Sequence, residues 1–80
     1  MDTRTAVANQ ITVLCGRRGW TIHKLATESG VSPSTVKSIL YGRSKNPGIV
    51  TIKILCDGLG ISLEEFFSAP EFRQLEQELQ

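Results

Sequence analysis

Apolar residues recur along this chain at helical rather than strand spacing. Between about Thr3 and Arg17, the residues Val7, Ile11, Leu14 and Cys15 fall at i, i+4, i+7 and i+8, one stripe of a helix. Arg17 and Arg18 close that segment, where cations complement the negative end of the helix dipole, and Gly16 or Gly19 can stop it. Thr21 has the side chain of a helix N-cap. The second helix it opens turns Ile22, Leu25 and Ala26 inward and stops at Gly30, suited to the left-handed conformation. Ser32 caps a third helix, with Pro33 at the first position, where a missing N–H costs nothing. Its inward set is Val36, Ile39 and Leu40, and Gly42 ends it.

The stretch "GIVTIKILCDGLG" reads two ways. Val50, Ile52 and Ile54 alternate with Thr51 and Lys53 as in a strand, while Ile49, Ile52, Leu55, Cys56 and Leu59 form a helical stripe. A lone strand would have no partner in this chain, so the helix is the reading taken. "SLEE" then has the form of a capping box for a fifth helix, with Leu63, Phe66 and Phe67 as its apolar residues. Pro70 breaks the chain. The segment "PEFRQLEQELQ" that follows carries Phe72, Leu75 and Leu79 at helical spacing. The pattern therefore predicts an all-α fold: a compact five-helix domain over residues 1–68 and a C-terminal amphipathic helical tail over 69–80.

Two short helices joined by Ser29-Gly30-Val31-Ser32 have the layout of a helix-turn-helix, whose second helix enters the DNA major groove. With Val36 set at zero and about 100° per residue, Ile39 and Leu40 straddle the core direction. Ser34, Ser38 and Tyr41 then point nearly opposite, and Thr35 and Lys37 lie on the flanks. This outer face holds no acid. Short hydroxyls let the backbone approach base edges and can donate or accept there, which makes Ser34, Thr35, Lys37 and Ser38 the candidate base-reading residues. Beside them, "RSKNP" offers Arg43, Lys45 and Asn46 to phosphate oxygens, and Tyr41 joins that set. Thr21 and the amides opening the second helix offer another phosphate clamp, with His23 facing outward for either phosphate contact or simple exposure. Trp20 is expected to cover one end of the core.

Charge sharpens the picture. The net charge is only +1, but residues 1–56 hold eight Lys and Arg against two acids, and residues 57–80 hold one against six. Such segregation fits one side turned toward a polyanion and another turned away. The chain has 80 residues, 40% of them apolar, which suits one small globular domain. No apolar run approaches the roughly 20 residues of a membrane span. "MDTRTAVANQ" lacks the apolar core of a signal peptide, and a cytoplasmic location is expected. Cys15 and Cys56 form no C-x-x-C, and the single histidine, His23, cannot complete a zinc site with them. They read as small buried residues, the alternative being a disulfide or a reactive thiol. No metal, cofactor or small-molecule ligand is expected. No catalytic residue is assigned, because His23 has no nucleophile at a recognisable spacing and no glycine-rich phosphate loop follows a strand.

At this point the chain resembles a known family. "KLATESGVSPSTVKSILYGRSKNP" followed by "LCDGLGISLEEFF" is similar to the Cro/repressor type of helix-turn-helix, also called the XRE or lambda-repressor-like family. Leu25, Ala26, Gly30, Val31, Ser32, Val36, Ile39, Gly42, Pro47, Leu59, Gly60, Ile61, Ser62 and Phe66 match its pattern in order and spacing, over roughly residues 7–68. Three positions depart from it. Ile22 stands where many members have a glutamine, Leu40 where many have a glutamate, and serine and threonine where many reading helices carry glutamines.

The resemblance implies sequence-specific binding of double-stranded operator DNA, commonly by a dimer, and transcriptional regulation, usually repression. A two-fold homodimer on a palindromic operator is therefore expected. Val50, Ile54, Phe67, Phe72, Leu75 and Leu79 are the candidate interface residues: Val50 and Ile54 lie off the core stripe of their helix, Phe72, Leu75 and Leu79 form a second stripe beyond what so small a domain buries, and Phe67 is core or interface. The alternative is a tail folded back on its own domain. The rival from another class is an antitoxin or adaptor, a protein-binding module on the same fold.

Overall fold

The computed structural model describes residues 1–79. Five α-helices follow in order: α1 Thr3–Arg18, α2 Ile22–Ser29, α3 Pro33–Leu40, α4 Ile49–Leu59 and α5 Leu63–Phe66. A single 3-10 turn, Pro70–Arg73, comes after them. The stretch that read two ways is helical, as the absence of a pairing partner required.

Local chemistry sets the helix ends. Asp2, Thr21, Ser32 and Ser62 each accept a hydrogen bond from a backbone N–H in the first turn of the helix that follows. Ser62 and Glu65 complete a reciprocal capping box. At Gly30 the chain turns between α2 and α3 with φ at +70°, a conformation that a side chain would strain. The Val31 N–H closes that turn onto the Ala26 carbonyl at 3.1 Å.

The core gathers one face from every helix. Val7 and Ile11 of α1, Leu25 and Ala26 of α2, Val36 and Ile39 of α3, Ile52, Leu55, Cys56 and Leu59 of α4, and Phe66 of α5 are buried together. Leu14, Cys15, Trp20, Ile22, Val31, Leu40 and Leu63 pack around them half-buried. Helix α2 packs most extensively on α4. There Gly58 meets Ser29, and a Cβ at Gly58 would lie 3.0 Å from the Ser29 Cα. Gln10 is the buried polar residue of the core, and its Nε2 donates to the Phe66 carbonyl at 3.0 Å, satisfying the end of α5. Burial raises the pKa of both thiols, half-buried Cys15 and buried Cys56, and both are free. No helix among the described residues is long and apolar enough to cross a membrane.

Two expectations are corrected. The helical stripe of α4 counts Ile49 toward the core, but Ile49 is 55% exposed. It is the first residue of α4 and lies before the helix enters the core. The tail is helical only over Pro70–Arg73, and residues 74–79 are not helical. A short isolated helix is marginal in water, and tertiary partners compete for this one. The Glu76 N–H donates to the Met1 carbonyl at 3.2 Å instead of to a helical carbonyl. The Glu78 carboxylate accepts from the Thr3 N–H at 3.2 Å and from the Thr3 hydroxyl at 3.1 Å. Phe72, Leu75 and Leu79 therefore share no helix face. The tail folds back onto its own domain, with the Phe72 ring 5.0 Å from Phe67 and 6.2 Å from Phe66.

Candidate nucleic-acid interface

Burial of Val36 and Ile39 fixes which side of α3 faces outward. Ser34, Lys37 and Tyr41 are exposed, and Thr35 and Ser38 are half-buried on the same outer half. Ser32 continues this surface at the start of α3. Its hydroxyl lies 3.0 Å from the Thr35 hydroxyl and 3.5 Å from that of Ser34, and it also accepts from the Thr35 N–H. Three linked hydroxyls can reorient together, so this edge can present either donors or acceptors.

The chain leaving α3 folds back over it. The Ser44 N–H donates to the Ser38 carbonyl at 2.9 Å, which seats the loop against the last turn of α3. Thr35, Ser38, Ser44, Pro47, Gly48 and Thr51 consequently line one shallow cleft of about 230 Å³. Ser44 and Thr51 were not among the sequence candidates. They were missed because only the loop's return brings them beside α3, and no spacing within α3 signals it. On the far side of the loop, Lys45 and Asn46 line a larger groove with Arg4, Gly42 and Phe67, and the acids Asp2 and Glu78 line it too. Arg43, Lys45 and Asn46 are all exposed.

The cations of this surface form no close ion pairs among the described residues. Among the described residues, ion pairs join Lys24 to Glu28, Lys53 to Asp57 and the Met1 ammonium to Glu76. Lys37, Arg43 and Lys45 have no carboxylate within 4.0 Å there. Thr21 and His23 are exposed at the start of α2, where the Thr21 hydroxyl caps the Lys24 N–H at 3.1 Å. Arg18 and Lys24 lie over the half-buried Trp20 ring at 5.1 and 5.8 Å. Helix α4 alone among the five α-helices has no side-chain cap, its N-cap being Gly48, so the amides of its first turn are bare beside the cleft.

The candidate interface residues divide. Val50 is 69% exposed and Leu79 86% exposed, while Ile54, Phe67, Phe72 and Leu75 are half-buried. Phe67 and Phe72 spend their ring edges on each other within one domain. No group of three His, Cys, Asp or Glu among the described residues is placed to hold a metal ion.

Two helices set at a glycine turn, the second outward-facing and acid-free, supported by three more, define a helix-turn-helix domain. A helix-turn-helix family model matches residues 14–66, and the chain belongs to that family, of the Cro/repressor or XRE type. It is 40% identical over 53 residues to the HTH-type transcriptional regulator SlrR of Bacillus subtilis (strain 168), a match spanning 66% of this chain and 35% of SlrR. This chain thus spans about a third of that relative's length. The crystal structure of the prophage Lp1 protein 11 superposes with a TM-score of 0.78 at 38% identity, covering 90% of this chain and 96% of that one. The hypothetical transcription factor NHTF from Neisseria superposes with a TM-score of 0.76 at 20% identity, over 91% of this chain and 83% of that one, and shares the fold.

Proposed function

We propose that this chain is a cytoplasmic transcriptional repressor that binds double-stranded DNA in the major groove through α3. One observation carries the reading: the outward half of α3 and its loop present linked hydroxyls and three cations, none of them with a carboxylate within 4.0 Å among the described residues. Ser34, Thr35, Lys37 and Ser38 read base edges. Tyr41, Arg43, Lys45 and Asn46 hold phosphates on one side, and Thr21 and His23 hold them at the start of α2. The bare amides of α4 suit the same backbone. The regulator SlrR among the relatives supports the assignment.

The repressor acts as a two-fold homodimer on a palindromic operator, with its two reading helices about 34 Å apart, one turn of duplex. Val50 and Ile54 of α4 form the centre of its interface, and Phe67, Phe72, Leu75 and Leu79 border it. The exposed Val50 and Leu79 side chains support this placement.

Selection of bound duplexes from a random pool tests both statements. A two-fold symmetric consensus is the expected result. About four phosphate contacts per subunit give a dimer a slope of about −7 in log affinity against log salt. A flat salt response, or no shift of any duplex at low salt, refutes DNA binding and favours a protein-binding antitoxin or adaptor. Unchanged monomer mass in sedimentation, for both the native chain and Val50→Glu/Ile54→Glu, refutes the dimer.

A further inference from the structure

We infer that Arg4, on the first turn of α1, is a positioning residue for the reading helix and its phosphate-binding loop. The inference rests on the DNA-binding reading above, but it starts from the way α3 ends. The last four carbonyls of a helix have no partner inside it. In α3 the Lys37 carbonyl accepts from the Tyr41 N–H at 2.9 Å, and that of Ser38 accepts from Ser44. The Ile39 carbonyl accepts from Nη1 of Arg4, 35 residues earlier in the chain, at 3.4 Å. Nη2 of the same guanidinium donates to the Thr5 hydroxyl at 3.2 Å.

The 3.4 Å contact is long for a hydrogen bond, so much of its effect is electrostatic. A half-buried cation sits at the negative end of the α3 dipole, where a charge is favoured. Among the described residues no carboxylate lies within 4.0 Å of it. The helix terminus takes the place of an ion-pair partner.

The same guanidinium lies under the hinge of the loop. Gly42, with φ at +81°, starts the excursion that carries Arg43, Lys45 and Asn46, and a Cβ there would lie 3.6 Å from Nη1 of Arg4. Arg4 thus touches both the exit of α3 and the residue from which the loop departs. It ties the orientation of α3 and the path of its cationic loop to α1, the longest helix of the domain. Exposed phosphate ligands on a loop are useful only when the loop's origin is fixed, since each freely moving side chain loses affinity when ordered.

Arg4→Met, which keeps length and removes the donors, and Arg4→Lys, which keeps charge without the fork, test the role. In free protein, the amide resonances of residues 40–46 should shift in Arg4→Met and return most of the way in Arg4→Lys. At a temperature where every variant is fully folded, Arg4→Met should bind selected and random duplexes about tenfold more weakly, the size of one lost hydrogen bond to a charged group, with the salt slope unchanged. Unmoved amides in 40–46 with native affinity overturn the inference. A salt slope reduced by about 0.9 per subunit also overturns it, because Arg4 would then be a phosphate ligand itself. If Arg4→Met does not fold, the same two readouts on Arg4→Lys decide. Failure of the native chain to bind any duplex would defeat the DNA reading and leave the resonance test of the α3 anchor standing.

Discussion

Gly58 is the last residue but one of α4, where helix propensity alone favours alanine by at most about 1 kcal/mol. The packing predicts the reverse. A methyl group there would fall 2.1 Å from the Ser29 hydroxyl and 3.0 Å from both Cα and Cβ of Ser29. The hydroxyl can rotate away. The two carbons cannot, because they belong to the end of α2, one residue before the left-handed Gly30. Overpacking of this kind costs about 1–3 kcal/mol, and a backbone neighbour puts Gly58→Ala toward the upper end. After the propensity gain, the net loss should be about 1–2 kcal/mol, and each 1 kcal/mol lowers Tm by about 4–8 °C in a domain of this size. Thermal unfolding followed by Trp20 fluorescence and by circular dichroism measures this. Ser29→Ala should restore part of the loss, since it removes the nearest atom and leaves the two carbons. A Tm for Gly58→Ala equal to or above the native value would refute the claim that α2 and α4 are in contact at this glycine.

Ser29→Ala alone should raise stability slightly, because the Ser29 hydroxyl is buried with no hydrogen-bond partner among the described residues; a fall in the urea midpoint would contradict that. Lys45→Ala should weaken all duplexes alike and lower the salt slope by about 0.9 per subunit, while Lys37→Ala should also lower discrimination between sequences, both read by titration of selected and scrambled duplexes. Hydrogen bonds from Thr5, with the nearby Arg4 charge, hold the Asp2 carboxyl below the usual carboxylate range. Its contribution is therefore present above the unfolded value of about 4 and fades as pH falls through the lowered folded value. Between pH 7 and pH 3 the native chain should lose more urea resistance than Asp2→Asn, and equal losses would contradict the cap. Burial raises both thiols, so a thiol reagent at neutral pH should modify half-buried Cys15 slowly and buried Cys56 only on opening of the domain.

The helical layout was readable because each boundary has its own local chemistry: Thr21, Ser32 and Ser62 as caps, Pro33 at a first turn, Gly30 as a left-handed stop. The outer face of α3 was readable too, since Val36 and Ile39 leave only one side for solvent. What could not be read was set by partners distant in the chain. Ser44 and Thr51 reach the cleft through a loop that returns on α3. Arg4 finds its carbonyl 35 residues away, and Gln10 finds one 56 residues away. The tail carried a helical pattern, but the start of α1 drew Glu76 and Glu78 into hydrogen bonds that a helix would have forgone.

The proposed reading helix, α3, spans eight residues, too few to hold a helical shape alone in water. Its geometry is supplied by its surroundings: Ser32 at its start, Val36 and Ile39 in the core, Ser44 and Arg4 at its exit. Two kinds of damage to binding should follow. Loss of Ser34, Thr35 or Ser38 hydroxyls changes which bases are preferred while the support stays intact. Loss of support, from Gly58→Ala acting through Ser29 or from a change at Arg4, moves the whole helix and weakens every duplex together. The ratio of selected to random affinity separates the two, because only contacts with base edges enter that ratio.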